Sequence, residues 1–215
     1  MKVAVIGTGY VGLVSGTCFA EVGHEVTCMD RDVRKIDCLK QGGIPIYEDG
    51  MEQMVQRNYA EGRLRFTTSL EEALDGAEAV FLAIGTPQGE DGSADLSMVL
   101  DAAEQIGVVM TAPLVLVQKS TCPVGTVVLV EQRVAAALAA RGLSIPFAVV
   151  SNPEFLREGS AVKDFMEPDR VVIGADNAAA GALIAALYER IAPPERIIVM
   201  DRASAELTKY AANAF

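Results

Sequence analysis

Short apolar runs that alternate with helical stretches are the feature that most constrains what this chain can fold into. Each run has four to six residues and is rich in Val and Ile, without the polar alternation of a strand that has one solvent-exposed face. Such runs are typical of parallel strands buried on both faces. The six clear runs lie at 2–6, 25–29, 79–84, 113–118, 147–151 and 171–174, and two weaker ones lie at 63–67 and 196–200.

Helical patterns fill the sequence between these runs. Apolar residues recur every three to four positions over 95–110 and over 124–140. Ser69 with Glu72 matches a capping box, which predicts a short helix over 69–75. Alternating strands and helices favour an α/β fold, a doubly wound and mostly parallel sheet with helices on both faces.

These patterns divide the chain into two unequal parts. We expect a Rossmann-like domain over residues 1–200, a size that suits one large domain. Residues 201–215 begin a further helical pattern that no C-cap follows, so we expect the chain to stop in the first turns of a long helix. If that helix lacks partners, the chain frays after about residue 203. Its apolar positions would then be exposed, and they are Leu207, Tyr210, Ala211 and Phe215.

Charge and composition exclude several classes of protein. The chain has 18 Lys and Arg against 29 Asp and Glu, a formal net charge of −11, and such a field repels nucleic acid. No apolar run approaches the ~18–20 residues that cross a bilayer, which argues against a membrane protein. The cysteines match neither a disulfide nor a metal-ligand spacing, so we expect reduced thiols, no metal site and a cytoplasmic location.

A glycine-rich run, GTGYVG at 7–12, follows the first predicted strand and opens the first predicted helix. In this context Gly7 permits a tight turn, Gly9 lets the backbone approach a pyrophosphate, and Gly12 lets the helix pack closely on the strand. Backbone N–H groups and the positive end of the helix then bind the phosphates, so no basic side chain is needed. Asp30 ends the second predicted strand, where its carboxylate accepts hydrogen bonds from both ribose hydroxyls. The run therefore predicts a dinucleotide site.

Asp30 also bears on which dinucleotide is bound. Its negative charge repels a 2′-phosphate, which favours NAD over NADP. Arg31, Arg34 and Lys35 lie close behind it, and basic residues here can accommodate such a phosphate. An NADP-linked reductase therefore remains an alternative.

Three polar turn segments follow other predicted strands, at 85–87, 120–123 and 152–154. Ligands of open α/β sheets bind at the carboxyl ends of the strands. We therefore expect these segments to meet at the edge of the sheet that carries the glycine-rich run.

Four segments carry a family resemblance: GTGYVGLVSG at 7–16, KSTCPVGT at 119–126, NPEFLREGSAVKDFMEPDRVVIG at 152–174 and ELTKYAANAF at 206–215. They resemble the UDP-glucose 6-dehydrogenases, a branch of the nucleotide-sugar dehydrogenases. The resemblance implies NAD as cofactor, UDP-glucose as substrate, and oxidation of the C6 alcohol to a carboxylate with two NAD through a cysteine thioester. Dehydrogenases of GDP-mannose or of a UDP-N-acetylhexosamine share the plan and remain alternatives. A stand-alone NAD-binding regulatory module is the alternative of another class.

The glycine-rich run and the resemblance together imply roles for particular residues. The expected NAD contacts are Gly7, Gly9, Tyr10, Val11, Gly12, Asp30, Lys35, Thr86, Thr121 and Glu158. The expected contacts of the sugar nucleotide are Glu154, Phe155, Leu156, Arg157, Lys209 and Asn213. By the same resemblance, Thr121 and Glu154 serve acid–base steps or position water. Lys209 stabilises the developing oxyanion, and Asn213 lies beside it.

The chemistry of these residue types supports some of these roles and leaves alternatives open. Lys209 and Asn213 are four positions apart on a helix, hence neighbours suited to stabilising an oxyanion. A solvated face, or an ion pair with Glu206, is the alternative. Glu154 suits a general base when buried, and Glu158 would share its helical face and perturb its titration. Stabilisation of a helix N-terminus is the alternative for both glutamates.

Departures from the family pattern bear on what this chain does alone. The family's nucleophilic cysteine lies in a later segment, as do the domain that binds uridine and the rest of a central dimerisation helix that begins at 201–215. Cys122 is interpreted as a small apolar residue, and His24 is given no catalytic role. We therefore expect a chain that binds NAD without completing the oxidation, from a protein that forms a homodimer or larger homo-oligomer.

Overall fold

A computed structural model describes residues 1–89 and 92–214, and its framework is one eight-stranded sheet. The strands, numbered along the chain, are β1 (Lys2–Ile6), β2 (Glu25–Met29), β3 (Leu64–Thr67), β4 (Ala79–Leu82), β5 (Leu114–Gln118), β6 (Phe147–Ser151), β7 (Val171–Gly174) and β8 (Ile197–Met200). All eight coincide with the predicted runs to within two residues at either end. The agreement follows from burial on both faces, which demands the continuous apolar runs seen in the sequence.

The strand order across the sheet is β3-β2-β1-β4-β5-β6-β7-β8. The first six strands are parallel, so their carboxyl ends meet at one edge, and the direction of winding changes between β1 and β4. β7 pairs with β6 in the antiparallel sense through Ser151 and Gly174, and β8 runs parallel to β7. The prediction of a doubly wound, mostly parallel sheet is confirmed, with a reversal after β6 that the apolar pattern did not predict.

Helices cover both faces of the sheet. In the described ranges they are α1 (Tyr10–Glu21), α2 (Val33–Lys40), α3 (Met51–Ala60), α4 (Leu70–Leu74), α5 (Ser97–Val109), α6 (Thr126–Ala140), α7 (Ala161–Met166), α8 (Ala178–Tyr188) and α9 (Arg202–Ala214). The capping box and the two apolar stripes predicted α4, α5 and α6. Helix α2 was not predicted, because it buries only Ile36 and Leu39 and so leaves little periodicity in the sequence.

Two apolar clusters hold these helices to the sheet. In one of them Phe19 of α1 contacts Phe81 of β4, Phe165 of α7 and Tyr188 of α8, with ring centroids 5.1 to 5.2 Å apart. In the other, Ile106 of α5 is buried together with residues of β4, β5 and α6. Burial of one such side chain contributes about 1.5–3 kcal/mol. The first cluster fixes α1, α7 and α8 against one another, and thereby the segments that lead into them.

Candidate functional site

The glycine-rich run forms a tight turn between β1 and α1. Gly7 has a φ of +101°, and a Cβ there would lie 2.5 Å from the carbonyl oxygen of Ala83. A Cβ on Gly12 would collide with the carbonyl oxygen of Gly7, so the helix start packs directly on the turn. A Cβ on Gly9, by contrast, would meet no atom within 4 Å. The turn thus leaves open space at Gly9 in front of a helix N-terminus whose first N–H groups have no helical partners, which fits a pyrophosphate.

Asp30, directly after β2, is held as a carboxylate beside this turn. Thr8 donates to its Oδ2 from both the backbone N–H and the hydroxyl at 2.8 Å, and the Asp32 N–H donates to Oδ1 at 3.0 Å. Lys35 Nζ lies 3.5 Å from Oδ2. Burial opposes ionisation, but the hydrogen bonds from Asp32 and Thr8 and the charge of Lys35 outweigh it and hold the pKa of Asp30 below its usual value. Asp30 is therefore a charged acceptor for hydroxyl groups at neutral pH.

A cleft of about 740 Å³ opens in front of the turn, between the end of β2 and helix α5. Four of the expected NAD contacts line it, and they are Gly7, Gly9, Asp30 and Lys35. The apolar wall supplied by α5, with Met98, Ala102 and Val109, was not predicted. These three positions follow one another at helical spacing beside the stripe that faces the core, so a second apolar stripe on α5 was the available signal.

Other expected NAD contacts lie outside the walls of this cleft. Val11 and Gly12 belong to the first turn of α1. The Thr86 hydroxyl donates to the carbonyl oxygen of Thr121 at 2.7 Å, so two of the three polar turn segments meet as expected. Glu158 is exposed in the turn before α7. A contact between these five residues and NAD stays a prediction.

Tyr10 also lies outside the walls of the cleft. Its hydroxyl donates a hydrogen bond to the carboxylate of Glu48 and accepts one from the Gly159 N–H at 3.0 Å. Its backbone remains at the start of α1, directly after Gly9. Contact between Tyr10 and NAD stays a prediction, and the hydroxyl is engaged elsewhere.

A second cavity, of about 660 Å³, lies between the segment 152–157 and helix α9. Lys209 Nζ lies 2.9 Å from Glu154 Oε1, and the two side chains are only 9% and 13% exposed. The same ammonium lies 5.6 Å from the ring centroid of Phe155. The cavity walls include all six residues expected to contact a sugar nucleotide, which are Glu154, Phe155, Leu156, Arg157, Lys209 and Asn213. The cavity thus offers a cation beside a carboxylate, a pair able to stabilise an oxyanion and to accept a proton.

The expectation that Glu154 and Glu158 share a helical face is wrong. Residues 152–157 form no helix, and α7 begins only at Ala161. The Glu154 carboxylate instead accepts a hydrogen bond from the Leu156 N–H at 2.6 Å, a local turn that competes with helical bonding.

The alternative of an ion pair between Glu206 and Lys209 is also wrong. Glu206 is buried, and its two oxygens accept hydrogen bonds from the N–H groups of Gly125 and Val127 at 2.7 and 2.9 Å. It therefore stabilises the start of α6, where helical N–H groups need acceptors and the helix dipole favours an anion. Lys209 is left to pair with Glu154.

Lys119 is a site residue that the sequence analysis missed. It follows β5 directly, is buried at the wall of the second cavity, and donates from Nζ to Asn152 Oδ1 at 3.2 Å and to the Tyr188 hydroxyl at 3.4 Å. Burial lowers the pKa of Lys119 to about 8, although the negative charge of Glu154 acts in the opposite sense. The available signal was a lysine placed between a buried strand and the polar turn 120–123.

Cys122 and His24 have the surroundings of structural residues. Cys122 Sγ accepts a hydrogen bond from Gln118 Nε2 at 3.1 Å, and burial raises the pKa of the thiol to about 12, so no thiolate forms at neutral pH. His24 is buried, and its Nε2 lies 3.1 Å from the Leu187 carbonyl oxygen. Within residues 1–89 and 92–214, no group of His, Cys, Asp and Glu side chains is arranged to hold a metal ion. Over the same ranges, every helix is too short or too polar to cross a membrane.

Helix α9 exposes apolar side chains on one part of its surface, although Ala205, Glu206 and Lys209 are buried against the domain. Leu207 and Tyr210 are 58% and 40% exposed, and Ala211 is exposed as well. Phe215, the fourth expected position, lies outside the described residues. Fraying of the chain after about residue 203 stays a prediction.

Comparisons with known proteins match both the sequence and the fold. The sequence profile of the "UDP-glucose/GDP-mannose dehydrogenase family, NAD binding domain" matches residues 1–192. The chain is 50% identical to the UDP-glucose 6-dehydrogenase of Pseudomonas aeruginosa, over 100% of this chain and 48% of that protein. It is 49% identical to the UDP-glucose 6-dehydrogenase TuaD of Bacillus subtilis, over 100% of this chain and 45% of that protein. The chain thus spans about half the length of these curated relatives.

Two solved structures share the fold at significant identity. A UDP-glucose dehydrogenase from Pyrobaculum islandicum is 42% identical, with a TM-score of 0.92 over 100% of this chain and 49% of that chain. A ternary complex of GDP-mannose dehydrogenase from Pseudomonas aeruginosa is 34% identical, with a TM-score of 0.93 over the same shares. The described fold is therefore that of the corresponding half of both proteins.

Proposed function

The chain belongs to the UDP-glucose/GDP-mannose dehydrogenase family, and we propose that it forms the NAD-binding part of an enzyme that oxidises UDP-glucose to UDP-glucuronate. The family model covers three of the four sequence segments, and the curated relatives cover the fourth, at 206–215, as well. Together they confirm the resemblance and assign NAD as the cofactor. UDP-glucose is favoured because the 50% identical relative is a UDP-glucose 6-dehydrogenase, whereas the GDP-mannose dehydrogenase is 34% identical. The four cysteines are free, which supports a cytoplasmic location.

We assign NAD to the cleft in front of the glycine-rich turn. The open space at Gly9 and the N-terminus of α1 receive the pyrophosphate through backbone N–H groups. The ionised Asp30 accepts hydrogen bonds from the ribose hydroxyls, and its charge disfavours a 2′-phosphate. When bound, NAD supplies the nicotinamide that accepts a hydride from the sugar alcohol.

The observation that carries the proposal is the buried ion pair of Lys209 and Glu154 in the second cavity. We assign the sugar to this cavity, where the Lys209 ammonium stabilises the oxygen at C6 as negative charge develops. Glu154 accepts the hydroxyl proton or orients a water, and Asn213, one helical turn from Lys209, is a second donor. Thr121, in the turn three residues beyond β5, is assigned its predicted role in acid–base steps or water positioning.

The activity of the longer protein is part of the proposal. The segment beyond this chain would supply the cysteine for the thioester, and it would continue α9 into the helix through which two or more copies assemble. The exposed Leu207 and Tyr210 on α9 support this role, since apolar side chains on a helix favour a packing partner. This chain alone then binds NAD but does not complete the two-step oxidation.

Calorimetric titration of NAD and NADP tests the first cleft. We expect NAD to bind more tightly than NADP, and Asp30→Ala to weaken NAD by at least about tenfold, because a hydrogen bond to a charged group contributes about 1.5–3 kcal/mol. Asp37→Ala, which removes an exposed carboxylate on α2, is the matched control and should leave the affinity unchanged. Tighter binding of NADP would contradict the assignment of Asp30.

Titration of UDP-glucose into the NAD-saturated chain tests the second cavity. We expect Lys209→Met to abolish measurable binding, since it removes the cation of the ion pair, and Lys40→Met, an exposed control on α2, to preserve it. The choice among nucleotide sugars is tested on the longer protein, which would carry the uridine-binding domain, and tighter binding of GDP-mannose or of a UDP-N-acetylhexosamine there would replace the proposed substrate. NAD binding without affinity for any nucleotide sugar, both in this chain and in the longer protein, would favour an NAD-binding regulatory module instead.

A further inference from the structure

Glu48 is a buried carboxylate that the proposed reaction does not use. It lies in the connection between α2 and α3 and is only 5% exposed. Its Oε2 accepts hydrogen bonds from the Tyr10 hydroxyl and from the Gly159 N–H, the latter at 3.0 Å. Its Oε1 accepts from the Val162 N–H at 3.4 Å. Because a buried carboxylate is costly unless its oxygens are paired, Glu48 holds these donors firmly.

Tyr10, one of the donors to Glu48, belongs to the glycine-rich turn and the helix that follows it. Tyr10 is the first residue of α1 and directly follows Gly9, one of the two glycines of this turn that line the cleft. Burial, followed by the hydrogen bond to Glu48, raises the pKa of Tyr10 to about 12. The hydroxyl therefore keeps its proton at neutral pH and remains a donor to Glu48.

The other donors to Glu48, the N–H groups of Gly159 and Val162, adjoin the segment 152–157 that lines the second cavity. Gly159 and Val162 lie at the junction of this segment with α7, and Glu154 and Arg157 precede them. Residues 152–157 form neither helix nor strand, so regular backbone hydrogen bonds do not fix them. The Tyr10 hydroxyl adds a direct contact, since the Gly159 N–H donates to it at 3.0 Å.

We propose that Glu48 is a positioning residue that couples NAD binding at the glycine-rich turn to the order of the segment lining the sugar cavity. Phosphate binding at Gly9 orders the start of α1 and with it the Tyr10 hydroxyl. Tyr10 and Glu48 then hold the Gly159 and Val162 N–H groups. The inference rests on the proposed assignment of the two cavities. Because coupling between two ligands is reciprocal, a bound sugar nucleotide raises the affinity for NAD by the same factor.

Amide hydrogen exchange of the whole chain, with and without saturating NAD, tests this coupling. In the unmodified chain we expect NAD to slow exchange at Gly159 and Val162 by at least about fivefold, and in Tyr10→Phe and Glu48→Gln by less than about twofold. The matched control is Tyr47→Phe. Tyr47 precedes Glu48 in the sequence, and its side chain is 85% exposed. Removal of its hydroxyl should leave the slowing of exchange by NAD at Gly159 and Val162 unchanged.

The outcomes separate this inference from the proposed function. Equal NAD protection of Gly159 in Tyr10→Phe and in the unmodified chain would overturn the coupling and leave the NAD site intact. Bound NAD without any protection of Gly159 would overturn it as well. Failure of NAD to bind the unmodified chain would overturn the proposed function and this inference together. If Glu48→Gln does not fold, Tyr10→Phe decides alone, because it removes a single oxygen atom.

Discussion

Replacement of Lys119 by methionine tests the electrostatics of the second cavity. The ammonium of Lys119 is buried against neutral partners, the Asn152 amide oxygen at 3.2 Å and the Tyr188 hydroxyl at 3.4 Å. Methionine is a flexible apolar side chain that fills irregular space, so Lys119→Met removes the charge without leaving a large void. The substitution thereby isolates the free-energy cost of burying the charge.

The pKa of Lys119 sets how much the free energy of unfolding depends on pH. Burial lowers the pKa of Lys119 from 10.5 to about 8, so between these values the unfolded chain binds one more proton than the folded chain. The free energy of unfolding of the unmodified chain therefore rises with pH in this window, by about 1.4 kcal/mol per pH unit and about 3 kcal/mol in total, relative to the variant. Below about pH 8 both states are protonated, so the cost of the buried charge is constant there.

Urea unfolding across about pH 7 to 10 measures this difference. Between about pH 8 and 9.5, the free energy of unfolding of the unmodified chain should rise by about 1–2 kcal/mol relative to that of Lys119→Met. The titration of groups that both proteins share cancels in this difference. Lys40→Met, which removes an exposed ammonium on α2, should show no such change. A difference between the unmodified chain and Lys119→Met that stays constant with pH would refute the burial of a charged Lys119.

Three further predictions separate folding from binding. Gly9→Ala should leave the thermal unfolding midpoint unchanged but weaken the binding of NAD in calorimetry. Gly12→Ala should lower the midpoint, because its Cβ would collide with the Gly7 carbonyl oxygen, and equal midpoints for the two variants would contradict this. Glu206→Gln should lower the free energy of urea unfolding by about 1–3 kcal/mol, since it weakens acceptance of two N–H groups of α6, and an unchanged value would contradict that role. Amides of α9 beyond Lys209, its last buried residue, should exchange faster than earlier ones, and uniform protection would contradict fraying of this helix.

The strands and the glycine-rich turn were predictable from the sequence, because the residues that determine each of them are close together along the chain. A run such as 2–6 is apolar because both of its faces are buried, and the turn at 7–12 needs glycine where a Cβ would meet backbone. The position of Asp30 follows from the same β-α-β unit. Local sequence is therefore sufficient to predict the turn and the position of Asp30 beside it, the side of the domain to which we assign NAD.

The second cavity was predictable only through the resemblance, because its contacts join distant parts of the chain. Glu154 and Lys209 are 55 positions apart, and Glu206 reaches Gly125 across 81 positions. Spacing along one helix suggested an ion pair between Glu206 and Lys209. The Glu206 carboxylate instead accepts hydrogen bonds from N–H groups at the start of α6. The contact that Glu48 makes with Gly159 spans 111 positions and gave no pattern in the sequence.

A crystal structure of the chain with NAD and UDP-glucose tests the central claim most directly. We expect the NAD pyrophosphate against the backbone at Gly9, a ribose on Asp30, and the glucose ring in the second cavity, against the ion pair of Glu154 and Lys209. Either ligand found away from these residues, with the two cavities otherwise as described, would contradict the assignment of cofactor and substrate to this pair of sites.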